Sequence, residues 1–158
     1  PVAGLVLCDP GGLVEVDALV TRFCALFAAF FAAGERGAGW FGATYAAYYR
    51  VLVLPAPAAR DQRRRIIAAG REMAGQLRQA WEGFGRSGAD LRALAAELEA
   101  PVWFAWARDD RVIPLSRCRP AIARMKRASL TLFRGGHAAF LEQPDGFAAG
   151  FAAFAATL

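Results

Sequence analysis

Gly135-Gly136-His137-Ala138-Ala139-Phe140-Leu141-Glu142-Gln143-Pro144 is the stretch that decides how this chain is read. It contains the only histidine of the sequence and follows the apolar run 130–133. A short run of this kind reads as a strand covered on both faces. The glycine pair lets the backbone turn sharply and brings the imidazole out over the carboxyl end of the strand, where open α/β sheets place their chemistry. A similar arrangement lies upstream. The apolar run 102–106 ends in Arg108-Asp109-Asp110, and Val112-Ile113-Pro114 then returns the chain to a helix. The helical stretch 115–127 between the two runs suits a right-handed crossover between parallel strands. Two adjacent strand ends would then present an acid and a base. A carboxylate so placed accepts the imidazole N–H, fixes its tautomer and stabilises the imidazolium. Helix capping by one Asp and solvation of the other is the competing use of these residues.

Working outward, residues 2–8 form a third apolar run, closed by Asp9-Pro10-Gly11-Gly12. Pro144 suits the first turn of a final helix, in which Phe147, Phe151, Phe154 and Leu158 fall on one stripe. The long stretch 13–99 is helical in pattern. Leu19, Phe23, Leu26, Phe27, Phe30 and Phe31 make a broad apolar face. After a glycine-rich break, Phe41, Tyr45, Tyr48, Tyr49 and Leu52 define a second helix, ended by Pro55 and Pro57. A third helix is expected over about 60–84 and a short fourth over 90–98. No internal repeat or low-complexity linker interrupts the pattern.

These residues resemble the α/β-hydrolase family. Trp106-Ala107-Arg108-Asp109-Asp110-Arg111-Val112-Ile113-Pro114 is similar to the family's acid loop, with Asp110 in the acid's place and Ala107 where a glycine is usual. The stretch from Gly135 to Pro144 is similar to its histidine loop, and the order acid then histidine is the family's own. The segment Pro1-Val2-Ala3-Gly4-Leu5-Val6-Leu7-Cys8 resembles the strand that follows the nucleophile's helix. The resemblance covers essentially the whole chain but only the second half of the family's domain. It implies a three-stranded parallel portion of an α/β-hydrolase sheet, built from residues 1–12 and 96–158, with residues 13–95 as a large helical cap. It assigns His137 as general base and Asp110 as its partner, with Asp109 and then Asp9 as alternative acids. Trp40, Phe41, Tyr45, Tyr48, Tyr49, Trp81 and Phe84 would line an apolar pocket in the cap, or simply fill its core.

The nucleophile is the main departure. The family needs a strained strand-to-helix turn of the G-x-S-x-G kind. The only serines are Ser87, Ser116 and Ser129. Gly85-Arg86-Ser87-Gly88 lacks the last glycine and a preceding strand, so Ser87 reads as a cap-loop residue. Cys8 ends a strand, but Pro10 follows in the turn, which makes it a poor nucleophile. The expectation is a hydrolase for a small, mostly apolar substrate, with the nucleophile outside these residues. A non-catalytic split or truncated product that binds a partner through an open sheet edge is the alternative.

Composition sets the outer bounds. The chain has 158 residues, 56% of them hydrophobic, and a mean hydropathy of +0.27. This is enough for one domain with a real core. The longest apolar run, 23–33, falls short of the roughly 20 residues that span a bilayer, so no membrane association is expected. The net charge of +5 comes almost wholly from scattered arginines. Arg63-Arg64-Arg65 reads as a solvated helix face, and without a nucleic-acid-binding motif no such partner is expected. Cys8, Cys24 and Cys118 are odd in number and unpaired in spacing, which suits a reducing, cytoplasmic setting without disulfides or zinc. No cofactor is implied. Self-association through an exposed sheet edge is expected if residues 2–8 lack a neighbouring strand.

Overall fold

The computed structural model describes residues 2–158; Pro1, the first residue quoted for the leading strand, lies outside them. Three parallel strands, β1 (Leu5–Cys8), β2 (Val102–Ala107) and β3 (Ala128–Phe133), form one sheet in the order β1-β2-β3. Leu5 to Cys8 pair in register with Val102 to Ala105, and Val102 to Ala107 pair with Ala128 to Phe133. The fold class is α/β, and the strand order is that expected for successive right-handed crossovers.

Alternation along β2 explains why the sheet is covered on both faces. Val102, Phe104 and Trp106 point into a core with Cys118, Ala121 and Met125, the first two on helix α6 (Leu115–Ile122). Trp103 and Ala105 point the other way, against Phe147 and Phe154 of α8 (Pro144–Ala155). The Trp103 ring lies 5.3 Å from Phe147 and 6.2 Å from Phe154. Every residue of β2 is buried as a result. β3 is less so: Ser129, Thr131 and Leu132 are exposed, so the apolar stretch 130–133 is not covered on both faces as its composition suggested. Phe151, expected on the same stripe as Phe147 and Phe154, is exposed as well.

Between β1 and β2 the chain forms a helical insertion. It contains α1 (Ala18–Glu35), α2 (Phe41–Tyr48), α3 (Arg60–Ala68), α4 (Ala74–Phe84) and α5 (Arg92–Ala96). Asp17 caps α1 by accepting from the Val20 N–H at 2.8 Å. Phe27 of α1 stacks on Trp81 of α4 at 4.4 Å, and Phe31, Phe41 and Tyr45 close the centre of the layer. By length and hydropathy α1 would suit a bilayer, although the run 23–33 alone is too short. Its inner residues Cys24 and Phe31 are buried, while Leu19, Phe23 and Leu26 are exposed on its outer side.

Several boundaries differ from the sequence reading. β1 begins at Leu5 and not at residue 2; β3 begins two residues earlier, at Ala128; and α6 stops at Ile122, short of 127. The single helix expected over 60–84 is two, α3 and α4, and the short fourth helix covers only Arg92–Ala96. The break lies at Gly70, whose backbone rests on Tyr45. A Cβ there would come within 2.3 Å of the Tyr45 ring, so this close approach needs glycine. After α2 the helix widens into one π-helical turn (Tyr49–Val53), and a strap over residues 54–57 follows.

Candidate active site

The site lies at the carboxyl ends of the strands, and backbone hydrogen bonds carry the β2–β3 ladder past the strands into the loops. Arg108 N–H donates to Phe133 O at 2.7 Å, and Asp109 N–H donates to Gly135 O at 3.1 Å. These bonds lay the acid loop alongside the histidine loop. Asp110 then folds inward. Its Oδ1 accepts from the N–H groups of Val112 (2.7 Å) and Ile113 (2.9 Å), which fixes the carboxylate plane. Its Oδ2 lies 2.9 Å from Nδ1 of His137. The Asp110 side chain is 1% exposed and that of His137 25%, so the acid is sealed and the imidazole is partly open. Trp106 Nε1 donates to Ile113 O at 3.2 Å and holds the acid loop's return.

Burial opposes the charged form of His137. The hydrogen bond and charge of Asp110, joined by the charges of Asp9 and Glu142, outweigh it and hold the imidazole pKa above its ordinary 6.5. Asp109 is exposed and contributes its backbone to the loop pairing. Asp9 is 3% exposed and adopts φ +43°, a left-handed conformation rare outside glycine. Its Oδ1 accepts from Ala107 N–H at 2.6 Å and its Oδ2 from Ala139 N–H at 3.4 Å, so it ties β2 to α7 (Ala139–Glu142). Burial first, and the neighbouring Asp110, push its pKa up to about 6, against the pull of these N–H groups and His137. Ala107, standing where a glycine is usual, has no positive φ, and its N–H serves Asp9.

Glu142 is the site residue that the sequence reading quoted without a role. It is 1% exposed. Its Oε2 accepts from the N–H groups of Gly136 (2.6 Å), His137 (3.3 Å) and Ala138 (3.5 Å). Gly135, at φ +145°, makes room for it: a Cβ there would lie 2.5 Å from Oε2. An acid five residues after a histidine that follows two glycines is the only sequence signal that pointed to it.

The seven aromatics proposed for a pocket separate in space. Phe41 and Tyr45 are packed inside the helical layer, their rings 5.4 Å apart, and offer no surface to a ligand. Trp40 and Phe84 are exposed at its rim. Trp81 stacks on Phe27. Tyr48 and Tyr49 lie at the π-helical end nearest the site. Burial, together with the charges of Tyr49 and Asp110, raises the pKa of the Tyr48 phenol, which marks it as a neighbour of the acid. Ser87 opens a single turn (Ser87–Ala89) after α4, and Ser129 donates to Val102 O at 3.4 Å on the sheet. Among the described residues no group of three His, Cys, Asp or Glu side chains has metal-binding geometry.

No family model and no curated protein sequence matches this chain. Solved structures do. An esterase from a Rhodococcus species superposes with a TM-score of 0.73 at 18% identity over 99% of this chain and 56% of its own. A thermophilic esterase from Thermogutta terrifontis gives 0.70 at 16% identity, over 98% and 56%. An α/β-hydrolase enzyme from a Medee basin deep-sea metagenome library gives 0.69 at 13% identity, over 96% and 55%. The chain therefore has the α/β-hydrolase fold, and it spans little more than half the length of these proteins.

Proposed function

We propose that this chain supplies the base and the acid of a hydrolase whose nucleophile lies on a segment outside these 158 residues. The observation that carries the reading is the 2.9 Å contact between His137 Nδ1 and Asp110 Oδ2 at the carboxyl ends of adjacent parallel strands. In this reading Asp110 accepts the Nδ1 proton and fixes the tautomer. Nε2 of His137 then takes the proton of the nucleophile as it attacks and returns it to the leaving group. The imidazolium so formed is stabilised by Asp110, with Asp9 and Glu142 adding negative potential. The substrate is a small, mostly apolar molecule, and residues 13–95 act as a cap over it, with Tyr48 and Tyr49 the aromatics best placed to meet it. The superposed esterases support hydrolysis as the reaction class; the bond cleaved is not set by the fold. The unpaired Cys8, Cys24 and Cys118 support a cytoplasmic setting.

The test is hydrolysis of a short-chain p-nitrophenyl ester by the protein with its upstream polypeptide attached. His137→Ala should lower kcat/KM by about 10³-fold or more. Full activity in that variant would remove His137 from the mechanism. The 158-residue chain by itself should show no turnover that a serine-directed covalent inhibitor abolishes, because the group such an inhibitor modifies is elsewhere.

A further inference from the structure

Glu142 does more than fill the histidine loop. While Oε2 holds the N–H groups of Gly136, His137 and Ala138, Oε1 accepts from Ala56 N–H at 3.0 Å, a donor 86 residues away in the chain. Ala56 belongs to the strap over residues 54–57, which leaves the π-helical end of α2 and starts α3. The strap is held from its other side by Arg63, whose Nη1 donates to Leu54 O and, at 3.3 Å, to Ala56 O. The histidine loop meets the same strap at Gly136. A Cβ at that position would fall 2.5 Å from Leu52 O, 2.8 Å from Val53 O and 2.5 Å from Pro55 Cδ. Backbone rests on backbone here, and Val53, Leu54, Ala59 and Ala138 close an apolar cluster around the junction.

We propose that Glu142 is a positioning residue that couples the helical insertion to the histidine loop, so that docking of the strap and placement of the His137 imidazole are one event. The catalytic meaning of this rests on the reading of His137 as a base; the coupling itself does not. The argument is one of shared acceptors. The carboxylate is buried and its partners are backbone N–H groups from two segments. If the strap withdraws, Oε1 loses its donor and Ala56 N–H its acceptor. A buried charged acceptor cannot be left so without cost, because an unsatisfied buried polar group forfeits its hydration. The carboxylate then turns toward water and the grip on residues 136–138 loosens. The ring of His137 is carried by those residues, so its alignment with Asp110 follows.

The chain's only histidine is the reporter. Nitrogen-labelled histidine is followed by NMR, and backbone amide exchange is read in the same samples. Ala56→Pro removes the one N–H that crosses the junction, leaves the Glu142 charge in place, and suits a residue already at φ −64°. The Nδ1 proton of His137 and the amides of Gly136 and Ala138 should exchange several-fold faster in this variant, while the β2 amides of residues 102–107 keep their wild-type rates. Glu142→Gln, which preserves shape but turns one acceptor into a donor, should loosen the same probes further. Should Glu142→Gln fail to fold, Ala56→Pro decides alone. Wild-type exchange of the loop amides and of the Nδ1 proton in Ala56→Pro overturns the coupling. An Nδ1 proton that is unprotected in the wild type would sink the acid–base reading, whereas faster loop-amide exchange in Ala56→Pro would still support the coupling.

Discussion

Asp9→Asn removes a titration, along with the long contact from Ala139 N–H and the charge that Asp9 adds near His137. Asn tolerates the left-handed backbone at φ +43° at least as well as Asp, and its side-chain oxygen can still accept from Ala107 N–H, now at 2.6 Å. In the wild type, burial and the charge of Asp110 raise the Asp9 pKa from 3.8 to about 6. An acid whose pKa is raised by folding holds its proton more tightly in the native state. Its contribution to stability is therefore fully present below 3.8 and is lost as the pH rises to about 6. A rise of roughly two units, at about 1.4 kcal/mol each, amounts to about 3 kcal/mol. That is a large share of the roughly 5–15 kcal/mol by which domains are stable. The amide side chain cannot ionise, so it carries the protonated state's stability to every pH. Urea unfolding of both proteins at steps from about pH 4 to about pH 8 should show the variant gaining about 3 kcal/mol on the wild type across that span, with an unchanged m-value. Two parallel stability curves, separated by a constant offset, would refute the assignment of a raised pKa to Asp9.

Asp110→Asn removes the charged hydrogen-bond partner that does most to hold the His137 pKa up, leaving Asp9 and Glu142, so the single imidazole resonance should titrate at lower pH. The acid-side stability contributed by the imidazolium, present below about 6.5 and lost as the pH rises through the folded pKa, should shrink with it; an unmoved titration counts against the pairing. Gly136→Ala places a methyl group against the backbone of residues 52 and 53, which cannot swing aside. It should destabilise the protein by about 1–3 kcal/mol, and a neutral result in thermal melts would show that the junction is loose. β1 pairs with β2 on one side, and its other edge carries no strand among the described residues. Light scattering on the 158-residue chain should therefore report self-association, and a monodisperse monomer would argue against an adhesive edge.

The strand ends were legible because they obey simple rules: apolar runs stop at Asp9, Arg108 and Arg134, each opening a loop that holds Asp or Gly, and parallel order places those stops together. That pattern pointed to His137 and to the Asp109–Asp110 pair; the resemblance to the acid loop chose Asp110 between the two, and the structure sets Asp110 2.9 Å from His137. The two functions of Asp9 and Glu142 could not be read the same way. Each acts by accepting backbone N–H groups from segments remote in sequence, Ala107 and Ala139 for one, Ala56 for the other, and backbone donors leave no trace in residue identity. The break between α3 and α4 was hidden for a related reason. Gly70 is tolerated in a helix, and it is the Tyr45 ring, 25 positions upstream, that requires it. Among the aromatics, spacing placed Phe41 and Tyr45 on a shared helix face correctly, but only the third dimension shows that this face is the interior of the helical layer.

Three successive amides, those of Gly136, His137 and Ala138, converge on one point in the histidine loop, an arrangement able to seat a small anion. Here the seat is taken from within by the protein's own carboxylate. The loop thus carries a built-in ligand. The same occupancy makes the seat recoverable by chemistry: with Glu142→Ala, the vacated amides should welcome free formate or acetate, and a melting temperature that climbs with added carboxylate would reveal the guest that the chain normally provides for itself.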